Sequence, residues 1–223
     1  MPNAIAAAVD LSGAMARFAL AEADGTVICR TRKPMRQREA AALADFIYES
    51  LEHSGRALAD IGEWTVGSGP GSFTGMRLAA ALVGGLTCGT AAKVRCVPTA
   101  VAIADTLGAI PVGTQVIVLF DGRNREIIAF ELIQTAGGAT PSGESHVLNA
   151  AAAEEYFRAR PQACIITQLA DLEAVKLIAP DITPVAVDDF DPACLIQAKY
   201  KEYDGDYTAL EYIRPAVYPQ TER

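Results

Sequence analysis

The sequence predicts an α/β fold built from a duplicated βββαβα unit, packed as one large domain or as two small lobes around a cleft. Three observations predict it. An Asp24-Gly25 pair between apolar runs marks a tight hairpin early in the chain. A glycine-rich loop, residues 67–77, joins a strand-like run to a helix-like one. The second half then repeats, more faintly, the strand and helix order of the first.

In order along the chain, residues 4–9 read as a buried strand and residues 16–21 as a second. The Asp24-Gly25 turn leads into residues 26–30, and Pro34 ends the sheet segment. Between 39 and 53 the apolar positions Leu43, Phe46, Ile47 and Leu51 recur at helical spacing, with Gly55 just beyond as a stop. Residues 62–66 form the next strand, the glycine loop follows, and 78–91 is the second helix. In the second half, 116–120 and 126–132 pair around Asp121-Gly122-Arg123-Asn124, and 135–143 is a loop rich in Gly, Thr and Ser. A third strand at 146–148, a helix at 150–160 and a strand at 164–167 follow. Helices at 171–179 and 192–203, with a strand at 185–187 between them, complete the repeat. The expected lobes are residues 1–105 and 106–223, the last segment being free to return to the first lobe.

The chain has 223 residues, of which 51% are hydrophobic and 21% charged, so it can bury a core large enough to fold. A formal charge of −8 argues against a broad grip on nucleic acid, which clustered Lys and Arg supply. The local exception is Arg30, Arg32, Lys33, Arg36 and Arg38, either a solvated loop or a contact surface. Five cysteines, odd in number and without a Cys-x-x-Cys pair, point to reduced thiols. No basic region precedes the first apolar run, and no apolar stretch is long enough for a bilayer. The expected location is the cytoplasm, away from any membrane.

The stretch Gly67-Ser68-Gly69-Pro70-Gly71-Ser72-Phe73-Thr74-Gly75-Met76-Arg77 carries most of the information. Glycines turn the backbone tightly and leave N–H groups uncovered, and the following helix start presents free donors and a positive dipole end. Asp10, Ser12, Gly69, Gly71, Ser72, Thr74 and Gly75 are therefore candidates for a nucleotide or phosphate cradle. A strand-to-helix turn without a ligand is the other reading. The loop is not a Walker A loop, because Met76-Arg77 stands where Lys-Ser/Thr would hold phosphate and magnesium. Thr74 also occupies the third-glycine position of the dinucleotide fingerprint. Asp10 and Ser12 could hold hydrated magnesium beside phosphates or simply close an Asx-type turn. His53 and His146 are far apart in sequence, which leaves zinc-hydrolase and triad chemistry without its ligands and makes both histidines structural. No metal site is expected. The two first-lobe helices carry small residues on nearly every face, so each needs cover on a second side, from the chain or from another subunit.

The run Gly69-Pro70-Gly71-Ser72-Phe73-Thr74-Gly75-Met76-Arg77 resembles the TsaB (YeaZ) family of bacterial tRNA threonylcarbamoyladenosine biosynthesis proteins, whose motif is Gly-Pro-Gly-Ser-Phe-Thr-Gly-x-Arg. Further likeness lies in Asp10-Leu11-Ser12, Pro98-Thr99-Ala100, Asp121-Gly122-Arg123-Asn124-Arg125-Glu126 and Tyr212-Ile213-Arg214. The resemblance is dense from residue 4 to about residue 98 and scattered beyond. It implies an actin-like, Hsp70-like (ASKHA) fold. It also implies a non-catalytic subunit that pairs with TsaD, the metal-bearing catalytic paralogue, and works with the small ATPase TsaE. Together these transfer a threonylcarbamoyl group from its adenylate to N6 of adenosine 37 in tRNAs reading ANN codons. The chain itself would need no cofactor, with ATP or ADP and magnesium acting at the level of the complex, and would meet tRNA only through it. Family members pair, also as homodimers, through the two first-lobe helices. Leu43, Phe46, Ile47, Arg77, Leu78, Ala81, Leu82 and Gly85 are the interface candidates that this implies.

Two departures from the family pattern stand out. Gln37-Arg38-Glu39 replaces His-Ser-Glu at the first helix, and Leu11 replaces a polar Thr. The His-x-x-x-His pair of TsaD is absent. That absence also disposes of a metallopeptidase reading. The alternative function is an ATP-dependent small-molecule kinase of the same superfold, for which Asp10 and Asp121 would be the catalytic carboxylates.

Overall fold

The computed structural model describes residues 5–35 and 40–213. Strands β1 (Ile5–Asp10) and β2 (Met15–Ala21) pair antiparallel, and β3 (Val27–Pro34) joins the far side of β2. After α1 (Ala40–His53), β4 (Ile61–Gly67) returns parallel to β1, and α2 (Phe73–Thr87) leads to β5 (Lys93–Val97) and α3 (Thr99–Thr106). The first sheet therefore runs β3-β2-β1-β4-β5. The second half repeats this plan with β6 (Gln115–Asp121), β7 (Ile127–Thr135), β8 (Gly138–Pro141), β9 (His146–Leu148), α4 (Ala150–Arg158), β10 (Cys164–Gln168), α5 (Leu172–Ile178), β11 (Val185–Val187) and α6 (Ala193–Gln197). Its sheet runs β11-β10-β6-β7-β8, and β9 also pairs with β7. The short strands β8 and β9 thus share the place that β3 fills in the first lobe.

The first unit is longer than the sequence pattern predicts, because it gains a further strand, β5, and a further helix, α3. The segment after α2 carries no helical signal for a physical reason. Residues 99 to 104 of α3 are all buried, so no polar face alternates with an apolar one. At the other end, α6 stops at Gln197 rather than running to 203, since Ala198 leaves the helical region at φ −59, ψ 114. Residues 135–143 are also more than a loop: Ala139↔Gln134 and Thr140↔Ile133 pair β8 to β7.

The layers explain the burial pattern. β1 is buried at every position, and so is β2 after its first residue, because both faces of the first sheet are covered. Ile5, Ala7 and Val9 meet α1 and α2 on the outer face, while Ala8 joins the core between the lobes. In the second sheet Val116, Val118 and Phe120 face inward, and Ile117 and Leu119 face α4 and α5. The two inner helices are exchanged. α3, from the first unit, packs on β6, β8 and β10, whereas α6, from the second, packs on β1, β2 and β4.

A polar clamp reinforces this exchange. Arg17 and Arg32 are cross-strand neighbours on β2 and β3, and both pair with Asp189; Arg17 Nε lies 2.7 Å from its Oδ1. Arg30 pairs with Asp191 at 2.7 Å, and the Arg17 guanidinium lies 4.2 Å over the buried Phe190 ring. Arg30 and Arg32 of the basic run are therefore engaged by the chain's own acidic residues, and Lys33 stands 3.6 Å from Glu49. Arg36 and Arg38, with Gln37, Glu39 and Arg214, lie outside the described residues. Among the described residues, no helix is long and apolar enough to cross a membrane.

Candidate functional site

The carboxyl ends of β1 and β4 meet at the glycine loop, the customary ligand position in open α/β sheets. Asp10 lies there, fully buried. Its Oδ1 accepts the Ser12 N–H at 3.0 Å and the Ser12 hydroxyl at 2.9 Å, and its Oδ2 accepts the Thr99 hydroxyl at 2.5 Å. Thr99 Oγ1 in turn accepts the Gly69 N–H at 3.1 Å, and the Thr99 N–H reaches Gly69 O at 2.6 Å. Both carboxylate oxygens are thus engaged within the chain. Thr99 is the residue that residue-level reasoning missed; its signal was the Pro98-Thr99-Ala100 likeness.

The loop closes directly over this carboxylate. Ser72 N–H donates to Ser12 O at 2.5 Å, and Ser72 Oγ caps α2 by accepting the Gly75 N–H at 3.2 Å. Gly71 and Gly75 abut the backbone of the β1–β2 turn: a Cβ at Gly71 would collide with the Ser12 carbonyl, and one at Gly75 with the Leu11 carbonyl. Close backbone approach inside the chain accounts for both glycines. Asp10, Ser12, Gly69, Gly71, Ser72 and Gly75 come together here, whereas Thr74 points outward on the first turn of α2.

Asp121 ends β6 as Asp10 ends β1. Its Oδ1 accepts the Arg123 N–H at 2.8 Å, and Arg123, Asn124 and Arg125 all take left-handed φ values of 62°, 50° and 60°. Asp171 lies beside it, and burial, with the Asp121 charge second, raises its carboxyl from 3.8 to about 6. The histidines are separate. His53 Nδ1 lies 2.6 Å from Glu49 O, and His146 Nε2 lies 3.5 Å from Glu131 Oε1. Glu131 Oε1 also accepts the Tyr156 hydroxyl at 2.6 Å and stands 3.0 Å from Arg160 Nη2. Burial pushes the Tyr156 hydroxyl pKa well up, and the hydrogen bond to Glu131 adds to it.

The helix pair sorts the interface candidates by phase. Leu43, Phe46 and Ile47 are 0%, 4% and 1% exposed and form the first lobe's own core against β2 and β3, so they supply no outward surface. The apolar spacing that marks a helix marks its inward side, and this corrects the expectation for those three. Leu78 and Leu82 are half-buried against the same core. Arg77, Ala81 and Gly85 face out along α2, beside the outward Asp45, Tyr48, Glu49 and Glu52 of α1.

The segment after α6 runs back across the first lobe. Tyr203 lies 4.4 Å from the Arg95 guanidinium, Gly205 N–H donates to Val94 O at 2.8 Å, and Glu211 N–H donates to Ser68 O at 2.9 Å. Tyr212 reaches the start of α2, where its hydroxyl accepts from Arg77 Nε at 3.1 Å. Burial raises the Glu211 carboxyl pKa.

Sequence comparison decides the family. The model of the TsaD family, described as tRNA N6-adenosine threonylcarbamoyltransferase, matches residues 35–189, more than half of the chain. The chain belongs to the TsaD family. The matched span holds the glycine loop, Thr99 and the β6–β7 turn. Among solved structures, YeaZ from Pseudomonas aeruginosa is similar at a TM-score of 0.66 and 22% identity, covering 87% of this chain and 90% of that one. A second crystal structure, of a protein described as similar to peptidase YEAZ from Pseudomonas aeruginosa, matches at the same TM-score and identity over 87% and 89%. This TsaD-family chain thus has the two-lobe α/β fold of YeaZ. No curated protein matches it in sequence.

Proposed function

We propose that this chain is a non-catalytic subunit of a tRNA N6-threonylcarbamoyladenosine-forming complex, docking on a TsaD-like catalytic subunit and activating it. The observation that carries this reading is the closure of the Asp10 site, in which Ser12 and Thr99 engage both carboxylate oxygens and the glycine loop packs on the β1–β2 turn. Such a site orders the start of α2 rather than performing a reaction. The loop fixes the helix, and the outward side of that helix meets the partner through Arg77, Ala81 and Gly85, flanked by Leu78 and Leu82. A TsaE-like ATPase completes the complex, tRNA is met only through it, and ATP or ADP with magnesium acts at that level. Alone, the chain pairs with itself across the same helices, in the cytoplasm. Residues 1–105 and 106–223 are its two lobes, with the last segment returned to the first.

Reconstitution tests the reading. Threonylcarbamoyl transfer to tRNA is measured with the TsaD-like and TsaE-like subunits, with and without this chain. Activity should need this chain and persist in Asp10→Asn protein that remains folded. Transfer by this chain alone would overturn the non-catalytic role, and micromolar Mg-ATP binding by the isolated chain in calorimetry would favour the small-molecule kinase.

A further inference from the structure

The outward ridge of α2 is shallow, since Ala81 and Gly85 carry almost no side chain. What stands around it is aromatic. Tyr207, from the segment after α6, fills the space beside Gly84, where a Cβ would come within 2.7 Å of its ring. Tyr212 packs 4.8 Å from Phe73, and the Arg77 guanidinium lies 3.8 Å over Phe73 and 5.4 Å from the Tyr212 ring centre. Tyr48 stands on α1, the helix packed beside α2. Their exposures are 36%, 43% and 51%, and among the described residues these three tyrosines are the exposed aromatic side chains. Tyrosine and arginine on a rigid support are the residues that most often anchor protein interfaces.

Charge selects the occupant. Asp45, Glu49 and Glu52 lie outward on α1, and among the described residues Asp45 and Glu52 have no ion pair, while Arg77 is stacked on Phe73 and hydrogen-bonded to Tyr212. A second copy brings two such acidic rows together, in a chain whose formal charge is already −8, so self-pairing across these helices is the weaker of the two pairings. A different protein with Lys or Arg in register meets no such repulsion.

We propose that the segment carrying Tyr207 and Tyr212 is part of the docking surface, and that its occupant is a helix of the catalytic partner with an apolar stripe bordered by basic side chains. Tyr207 and Tyr212 form one wall of the seat, Ala81 and Gly85 its floor, and the α1 carboxylates the polar rim that steers the basic flank. This inference rests on the function proposed above and adds to it the returning segment and the charge of the partner.

The test is calorimetric titration of the full chain with the TsaD-like subunit, at two salt concentrations. Tyr207→Ala with Tyr212→Ala should weaken binding at least about tenfold, the cost typical of removing an aromatic anchor. Asp45→Lys with Glu52→Lys should weaken it and flatten its salt dependence. Tyr212→Phe, which keeps the ring and drops the hydroxyl, should bind nearly as wild type and guards against misreading a released segment. Hydrogen exchange at the Val94 amide and neighbouring strand amides reports whether each variant keeps its fold. Wild-type affinity in the folded double tyrosine variant would overturn this inference and leave the proposed function standing. No binding by the wild-type chain would overturn both. A wild-type homodimer in sedimentation that the tyrosine pair disrupts, with hetero-binding unchanged, would overturn the choice of occupant.

Discussion

Arg95 Nη1 donates to the Ala198 carbonyl at 2.8 Å, so a β5 side chain of one unit caps the last turn of α6 from the other. The same guanidinium, 4% exposed, also reaches Leu195 O at 3.1 Å, Ile196 O at 2.7 Å, the Lys201 carbonyl and, through Nε, Thr65 Oγ1 at 3.1 Å. A buried cation is costly unless hydrogen-bonded, and here helix carbonyls and the Tyr203 ring take the place of a carboxylate. Arg95→Met leaves those carbonyls without donors and should destabilise the chain by about 3 kcal/mol or more. Arg95→Lys, with fewer donors and no fork, should fall between. Urea unfolding of the three proteins measures this order, and equal midpoints would disprove it.

Thr99 links Asp10 to the glycine loop. Replacing it with Val removes the donor to Asp10 Oδ2 and the acceptor of the Gly69 N–H at constant shape, for an expected cost of about 2–3 kcal/mol. Thr99→Ser keeps both bonds and should cost less than half of that. Thermal melts of the pair decide it.

The inter-lobe clamp contains one buried ion pair, Arg17–Asp189, and two exposed ones, Arg32–Asp189 and Arg30–Asp191. Arg17 is 5% exposed, so Asp189→Ala strands its charge and should cost about 3–5 kcal/mol. Arg30 is 51% exposed, so Asp191→Ala loses a screened pair worth at most about 1 kcal/mol, beside the loss of its own turn bond to the Ala193 N–H. Equal effects in denaturant titrations would contradict the burial argument.

Asp171 makes stability depend on pH. Its folded carboxyl is raised from 3.8 to about 6, so the protonated form is favoured on folding. That contribution is complete below about pH 4 and is lost as the pH rises through 6. Asp171→Asn should therefore stabilise the protein by about 1–3 kcal/mol at pH 8, and the gain should vanish near pH 4. Unfolding free energies of the two proteins from pH 4 to 8 give the difference directly.

Much of the architecture was legible where a segment meets different environments on its two sides. Leu43, Phe46, Ile47 and Leu51 revealed α1 because its other side faces water, and Asp24-Gly25 revealed the first hairpin because Gly25 takes φ +88°. α3 was not legible, since burial on every side removes the polar phase from its sequence. The candidate site was half legible. Asp10, Ser12 and the loop are local, but Thr99 reaches Asp10 across 89 positions, and no periodicity encodes that. Leu43, Phe46 and Ile47, offered as interface residues by the family resemblance, have no outward surface because the strongest apolar phase is used up by the core. The residues left outside are small, charged or aromatic, and Tyr207 arrives from a segment with no pattern of its own.

The exchange of α3 and α6 bears on synthesis. The inner face of the first sheet is completed by α6, and the β5 edge and the flank of α2 by residues 203–212. Early strands on the ribosome therefore carry uncovered apolar faces until nearly the whole chain has emerged, and the first lobe cannot settle as an independent unit. A nascent chain stalled at residue 110 should remain protease-sensitive and held by chaperones, and protection should arise in one step once residue 212 has cleared the exit tunnel.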